Sequence, residues 1–292
     1  MFGLLITRDD DMLVRQWFAR HAPLFEKLAV LDGSRGPLTR EVALGYPNVL
    51  YARDPEGVPI NDQTLRAACY ALLTPFVRPG EWVTICHIDE FFYHDPARIA
   101  LAHPDAPGVA WQALHILPHR SEKAAIAASI TESGTYDPVA QLHHFWAKEA
   151  REEQVPEATL ECRMFRVPEG GAEWGSFNGW VAPVNLPGKP LERTKAGETK
   201  IFSRPRWPRP FPTYFHYKLF NLDPSYFLPG SNHFEKSRLG TGLGGRRINS
   251  FDDCFFDEAA PWGHKNHVTC ERFDGVLPDN HRFNGPGNAF KL

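Results

Sequence analysis

The chain lacks any Cys-x-x-Cys pair, any apolar run of membrane-spanning length, any internal repeat and any pronounced net charge. Its five cysteines, Cys69, Cys86, Cys162, Cys254 and Cys270, are scattered and odd in number. That pattern excludes a zinc ribbon and a thioredoxin-like motif, and reduced, mostly buried thiols in a reducing compartment are expected. A spanning helix needs about 18 or more consecutive apolar residues, and none exists. The opening segment Met1–Asp11 has no basic n-region and too short an apolar stretch for a secretory signal, so a cytoplasmic location is expected. Lys and Arg total 32 against 35 Asp and Glu, a net charge of −3. That balance excludes a nucleic-acid binder working by bulk charge. The glycine-rich stretch Gly240–Arg247 lacks the Lys-Ser/Thr of a P-loop, and no strand precedes it. A mobile loop is expected there, with Arg246 and Arg247 as anion contacts.

What the chain does have is aromatic bulk and punctuation. The 21 Phe, 8 Trp and 8 Tyr, with only 23% charged residues, suit a packed globule rather than a disordered chain. The 26 Pro and 23 Gly promise many loops.

The first hundred residues alternate between strand and helix signals. Phe2–Thr7 is a short apolar run bounded by charge, as buried strands are. The run Asp9-Asp10-Asp11 suits a helix N-terminus, and Leu13, Val14, Trp17 and Phe18 form one apolar stripe after it. Lys27–Leu31 and Asn48–Ala52 read as strands, the former broken by Asp32-Gly33-Ser34. Asp62 is placed to cap a helix carrying Leu65, Cys69, Leu72, Leu73 and Phe76 on one face and stopped by Pro79-Gly80. Trp82–Ile88 is a near-continuous β-prone run, then Asp89-Glu90, Phe91-Phe92-Tyr93 and a helix start at Asp95-Pro96. This spacing argues for βαβ units and a parallel sheet, in which ligands bind at the carboxyl ends of strands. Asp32 and Asp89 both stand at such ends. Gly108–Leu114 reads as a further strand, 140–153 as a helix carrying His143 and His144, and 156–207 as irregular connections with short strands. Trp174, Trp180, Trp207 and Trp262 are candidates for stacking against a ligand or for core packing.

Period-two alternation predicts that His87 and Asp89 face the same side at the tip of their strand, with Glu90 turned away. Two such groups suit a divalent cation. The alternative is a polar strand end that caps the next turn.

These residues together resemble the nucleotide-sugar glycosyltransferases of the GT-A fold. The likeness rests on a first strand leading into charge and a helix, a second strand ending in Asp32-Gly33-Ser34, and Trp82-Val83 leading to Asp89-Glu90-Phe91. It is with the family-two-like group whose strand ends in Asp-x-Asp-Glu-Phe, and it covers residues 2–100. The resemblance implies a GT-A-like Rossmann-type mixed sheet with helices on both faces. Residues 1–120 would form the donor half, and 121–292 an irregular acceptor-side half of the same globular domain. It implies transfer of a sugar from a nucleoside-diphosphate donor to a saccharide or glycoconjugate hydroxyl, with inversion, as in polysaccharide biosynthesis. It maps Asp32 onto the nucleoside contact, and Asp89 with His87 onto a Mn²⁺ or Mg²⁺ site that His216 would complete. Arg8, Gln63, Arg66, Lys200 and Arg204 map onto donor contacts. Glu192, His233 and Glu235 are candidates for the base.

His87 stands where the family has Asp. Imidazole is a poorer ligand than carboxylate for hard cations, so a changed metal, metal-independent transfer or a degenerate site stay open. Two other readings compete. His87-x-Asp89 with His144 and Arg151 matches the ligand set of a non-haem Fe(II) and 2-oxoacid oxygenase, though those enzymes are antiparallel barrels. A non-catalytic nucleotide-sugar binding domain is the other. Exposed aromatic and basic residues leave peripheral membrane contact open, without a transmembrane segment.

Overall fold

The uncharged run Phe2–Thr7 forms strand β1, buried along its whole length. A computed structural model of the chain describes residues 1–54, 63–148, 161–177, 180–186, 191–193, 199–201, 211–217, 251–255 and 268–275. After β1 come α1 (Asp11–His21), β2 (Lys27–Asp32), α2 (Leu38–Leu44), β3 (Val49–Arg53) and α3 (Gln63–Ala71). Next are β4 (Trp82–Cys86), β5 (Glu90–Phe92), α4 (Pro96–Ala102), β6 (Gly108–Leu117), α5 (Lys123–Ser133) and α6 (Pro138–Gln141). The remaining strands are β7 (His144–Lys148), β8 (Glu161–Arg166), β9 (Trp174–Phe177), β10 (Trp180–Pro183), β11 (Leu191–Arg193), β12 (Thr199–Ile201), β13 (Thr213–Tyr217) and β14 (Val268–Arg272).

The fold is mixed α/β and Rossmann-like, and the chain divides into two compact units. The described residues of the first lie within Met1–Gln112 and Thr159–Tyr214, those of the second within Ala113–Ala158 and Phe215–Arg282. In the first unit, β4, β1, β2 and β3 lie side by side and parallel. β8 then runs antiparallel between β4 and β6. A small sheet of order β10-β9-β12-β11 belongs to the same unit. In the second unit, β7 pairs antiparallel with the end of β6 and with β14.

Alternation along β1 sends Phe2, Leu4 and Ile6 into a core shared with Leu65, Cys69 and Leu73, and with Val83 and Ile85 of β4. Burying each such aliphatic side chain contributes roughly 1.5–3 kcal/mol. On the opposite face Gly3 is required, since a Cβ there would meet Leu28 at 2.8 Å and Phe25 at 3.0 Å. The α1 stripe is as expected: Leu13, Val14, Trp17 and Phe18 are all fully buried.

Four local expectations change. First, α2 escapes the sequence signals because it is short and buries only Thr39 and Ala43, too few for a stripe. Second, α3 ends at Ala71, where Leu72 and Leu73 donate to the third carbonyl back, to Cys69 and Tyr70. Phe76 thereby leaves the core face and is 45% exposed. Third, 140–153 does not form the expected helix through His143 and His144: α6 stops at Gln141 and His144 opens a strand. The β-prone Phe145 finds ladder partners on both sides, Ile116 and Glu271, and Trp146 pairs with Cys270, which outweighs local helical preference. Fourth, β4 stops at Cys86, two residues short of Ile88. Among the described residues no helix is long and apolar enough to cross a membrane.

Candidate functional site

The register of the parallel strands sets one polar edge in the first unit. Thr7 pairs with Asp32, and Asp32 with Arg53, so β1, β2 and β3 end level. Leu5 pairs with Cys86, which brings the residues after β4 to the same edge. The carboxyl ends of four parallel strands therefore present Arg8-Asp9-Asp10, Asp32-Gly33-Ser34, Asp54 and His87-Ile88-Asp89. This is where open α/β sheets bind ligands.

After β1, Asp9 takes a left-handed conformation (φ 57°). Its carboxylate accepts from the backbone and side chain of Arg35 at 2.8 and 3.0 Å, and its N–H donates to Ser34 Oγ at 2.9 Å. Asp10 is the N-cap residue of α1, but its carboxylate turns back to accept from Thr7 Oγ1 (2.6 Å) and Arg8 N (2.9 Å). Burial pushes its pKa up to about 7; those two bonds oppose the rise, and the charges of Asp89 and Asp9 add to it.

After β2, Asp32 is fully buried and its carboxylate is committed within the protein. Oδ1 accepts from Ser34 N at 2.8 Å, and Oδ2 from Tyr51 Oη at 2.7 Å and Arg53 Nη1 at 3.4 Å. Arg8 forms an ion pair with buried Asp54 across this loop. Only glycine permits the crossing, because a Cβ on Gly33 would lie 2.6 Å from Arg8 Nε and 2.8 Å from Asp54 Oδ2.

After β4, His87–Asp89 form a turn, closed by Glu90 N donating to His87 O at 3.2 Å. The turn replaces the strand tip, so period-two alternation ends at Cys86 and Glu90 does not point away. One donor atom each of His87, Asp89 and Glu90 converge, all within 4.8 Å of one another. Helix α1 fixes this arrangement from beneath. Trp17 Nε1 donates to Glu90 O (3.0 Å), and Phe92 N donates to His21 Nε2 (3.1 Å). His21 Nδ1–H in turn donates to Trp17 O at 3.0 Å, which sets its tautomer. Burial drives the His21 pKa down to about 3, so the ring is neutral.

Two arginines approach the cluster. Arg66 of α3 places Nη2 2.6 Å from His87 Nε2, which must be the acceptor, since guanidinium has no lone pair to offer. Arg163 of β8 forms an ion pair with Glu90, both side chains buried, and lies 5.3 Å from the Tyr214 ring centre. One imidazole and two carboxylates are a plausible donor set for a divalent cation. Here, however, two of the three already face guanidinium groups. A cation would have to separate Arg66 from His87 and then sit beside two positive charges. As arranged, the residues do not fit a bound divalent cation.

The other expected site residues are distributed as follows. Gln63 opens α3 one turn before Arg66. Glu192 and Lys200 lie opposite each other in the β11–β12 ladder. His216 lies in the second unit, its ring 5.1 Å from that of His115, and is not in the converging group. His144, the third ligand of the oxygenase reading, is likewise in the second unit, bonded through Nδ1 to Glu122 at 2.8 Å. Trp174 packs against Tyr70 and Phe165, which is core packing. Asp62, Arg151, Arg204, Trp207, His233, Glu235, Arg246, Arg247 and Trp262 lie outside the described residues, as does the Trp180 side chain. Asp10, His21 and Arg163 were not legible as site residues. A helix-start Asp, a helix-end His and a strand Arg carry no mark of the partners that the fold gives them. No protein-family model and no curated protein matches the chain.

Proposed function

We propose that the chain is a glycosyltransferase that binds a nucleoside-diphosphate sugar at the carboxyl edge of β1, β2 and β4. The observation that carries the reading is the convergence of His87, Asp89 and Glu90 with Arg66 and Arg163 at that edge. The order of motifs in residues 2–100 supports it, because Asp32-Gly33-Ser34 and Asp89-Glu90-Phe91 follow β2 and β4, the two strands that flank β1 in parallel, as in the GT-A enzymes. The oxygenase reading loses support, since its fold is an antiparallel barrel and these strands are parallel.

In the reaction, an acceptor hydroxyl oxygen forms the new bond to the anomeric carbon on the face opposite the donor. The bond from that carbon to the diphosphate oxygen breaks, and its electron pair leaves with the diphosphate. Buried cations at the edge would stabilise that developing charge. The hydroxyl proton passes to a base, for which Glu192, His233 and Glu235 are the candidates. Asp89 would orient the donor. A saccharide or glycoconjugate acceptor and a cytoplasmic site of action complete the proposal.

The test is thermal stability of the full chain against a panel of nucleoside diphosphates, with Fe²⁺ plus 2-oxoglutarate as the contrasting arm. Specific binding raises the melting temperature by mass action. We expect one diphosphate to do so, and Asp89→Asn to remove sugar transfer while the far-UV spectrum stays unchanged. Silence toward every nucleotide, or full transfer by Asp89→Asn, would overturn the assignment.

A further inference from the structure

We propose that Arg66, with Gln63 beside it on α3, forms a metal-free binding site for the donor's diphosphate, taking the charge role that a divalent cation fills in GT-A enzymes. The inference rests on the nucleotide-sugar reading above and deepens it.

Arg66 is 3% exposed, yet among the described residues no hydrogen-bond partner meets its Nε or Nη1. Its one bond, from Nη2, goes to a neutral imidazole, which satisfies the N–H without balancing the charge. The nearby carboxylate of Glu90 is ion-paired with Arg163, whose own positive charge opposes that of Arg66. Burial and Arg163 together pull the Arg66 pKa down to about 10, which still leaves it a cation at neutral pH. A buried cation with two unmet, coplanar N–H groups is costly unless an anion completes it. A phosphoryl group offers two oxygens at the spacing of the guanidinium fork, a better match than an ammonium could make.

Gln63 supplies the complementary half. Its Oε1 is buried with no hydrogen-bond partner among the described residues, and its position three residues before Arg66 puts it on the same helix face. One ligand that accepts at Arg66 and donates at Gln63 satisfies both, and a nucleoside diphosphate does so through its phosphate oxygens and ribose hydroxyls. The same geometry argues against a metal, since coordination by His87 Nε2 would take away the one acceptor that Arg66 has.

The experiment is calorimetric titration of the full chain with the nucleoside diphosphate selected by the panel, in EDTA and in Mn²⁺, for the parent, Arg66→Lys and Arg66→Met. We expect the parent's Kd in EDTA to lie within about threefold of that in Mn²⁺. Lysine, which keeps charge but loses the fork, should weaken binding about tenfold, and methionine a hundredfold or more. Binding that disappears in EDTA and returns with Mn²⁺ overturns the metal-free site while leaving the nucleotide reading intact. Parental affinity in Arg66→Met overturns it as well. Absence of binding in both buffers overturns the nucleotide reading itself. The EDTA arm uses the parent protein and decides the matter even where Arg66→Met does not fold.

Discussion

Replacing Asp10 by asparagine isolates the cost of placing a carboxyl group inside the strand edge. In the unfolded chain this carboxyl ionises near 3.8; in the folded protein it holds its proton to about 7. The folded pKa is the raised one, so between these values the native state carries the extra proton. Stability is therefore fully present below pH 3.8 and is lost as pH rises through 7, by about 1.4 kcal/mol per unit. Over a window of about three units the loss is on the order of 4 kcal/mol. Asparagine cannot ionise, and its carbonyl oxygen can still accept from Thr7 Oγ1 and Arg8 N. The two proteins should thus be about equally stable near pH 4, with the variant ahead by several kcal/mol near pH 8. Urea unfolding followed by tryptophan fluorescence at a series of pH values reads this difference directly, and titrating groups that do not interact with Asp10 cancel between the two proteins. A difference that stays constant from pH 4 to pH 8 would refute the burial argument for Asp10.

Two further substitutions probe how the acidic turn is held. His21→Leu removes the acceptor for Phe92 N–H and should cost about 1–3 kcal/mol at pH 7. Because the folded His21 pKa lies near 3, below the ordinary 6.5, the parent loses stability as pH falls through that range. The leucine variant lacks this loss, so the gap in melting temperature should narrow on acidification; a gap that widens would contradict it. Glu90→Gln leaves Arg163 as a buried, uncompensated cation and should destabilise by roughly 3–5 kcal/mol in urea unfolding. The double replacement Glu90→Leu with Arg163→Met should recover most of that, and a single-variant cost near zero would mean the pair is solvated.

Much of the first unit was determined by the sequence itself. Apolar runs bounded by charge gave β1, β2, β3 and β4, and the Leu13, Val14, Trp17, Phe18 stripe gave α1, because burial period is a local property of the chain. The same logic placed Asp32 and Asp89 near strand ends, on the one polar edge that the parallel register forms. It could not tell that Asp32 would be satisfied internally by Ser34, Tyr51 and Arg53, since hydrogen-bond partners brought together by parallel register are not local. Nor could it find where β4 would stop. Two residues of difference took His87 and Ile88 out of the strand and into the turn with Asp89, and reversed the direction read for Glu90. That stop goes with bonds from Trp17 and His21, more than 60 residues earlier in the chain. The guanidinium groups of Arg66 and Arg163 reach the cluster from α3 and β8 only once those elements pack. Local pattern thus determined which residues would be buried or stand at a strand's end; long-range pairing alone decided which charges would face one another, because a charge's partner is set by distance in space rather than along the chain.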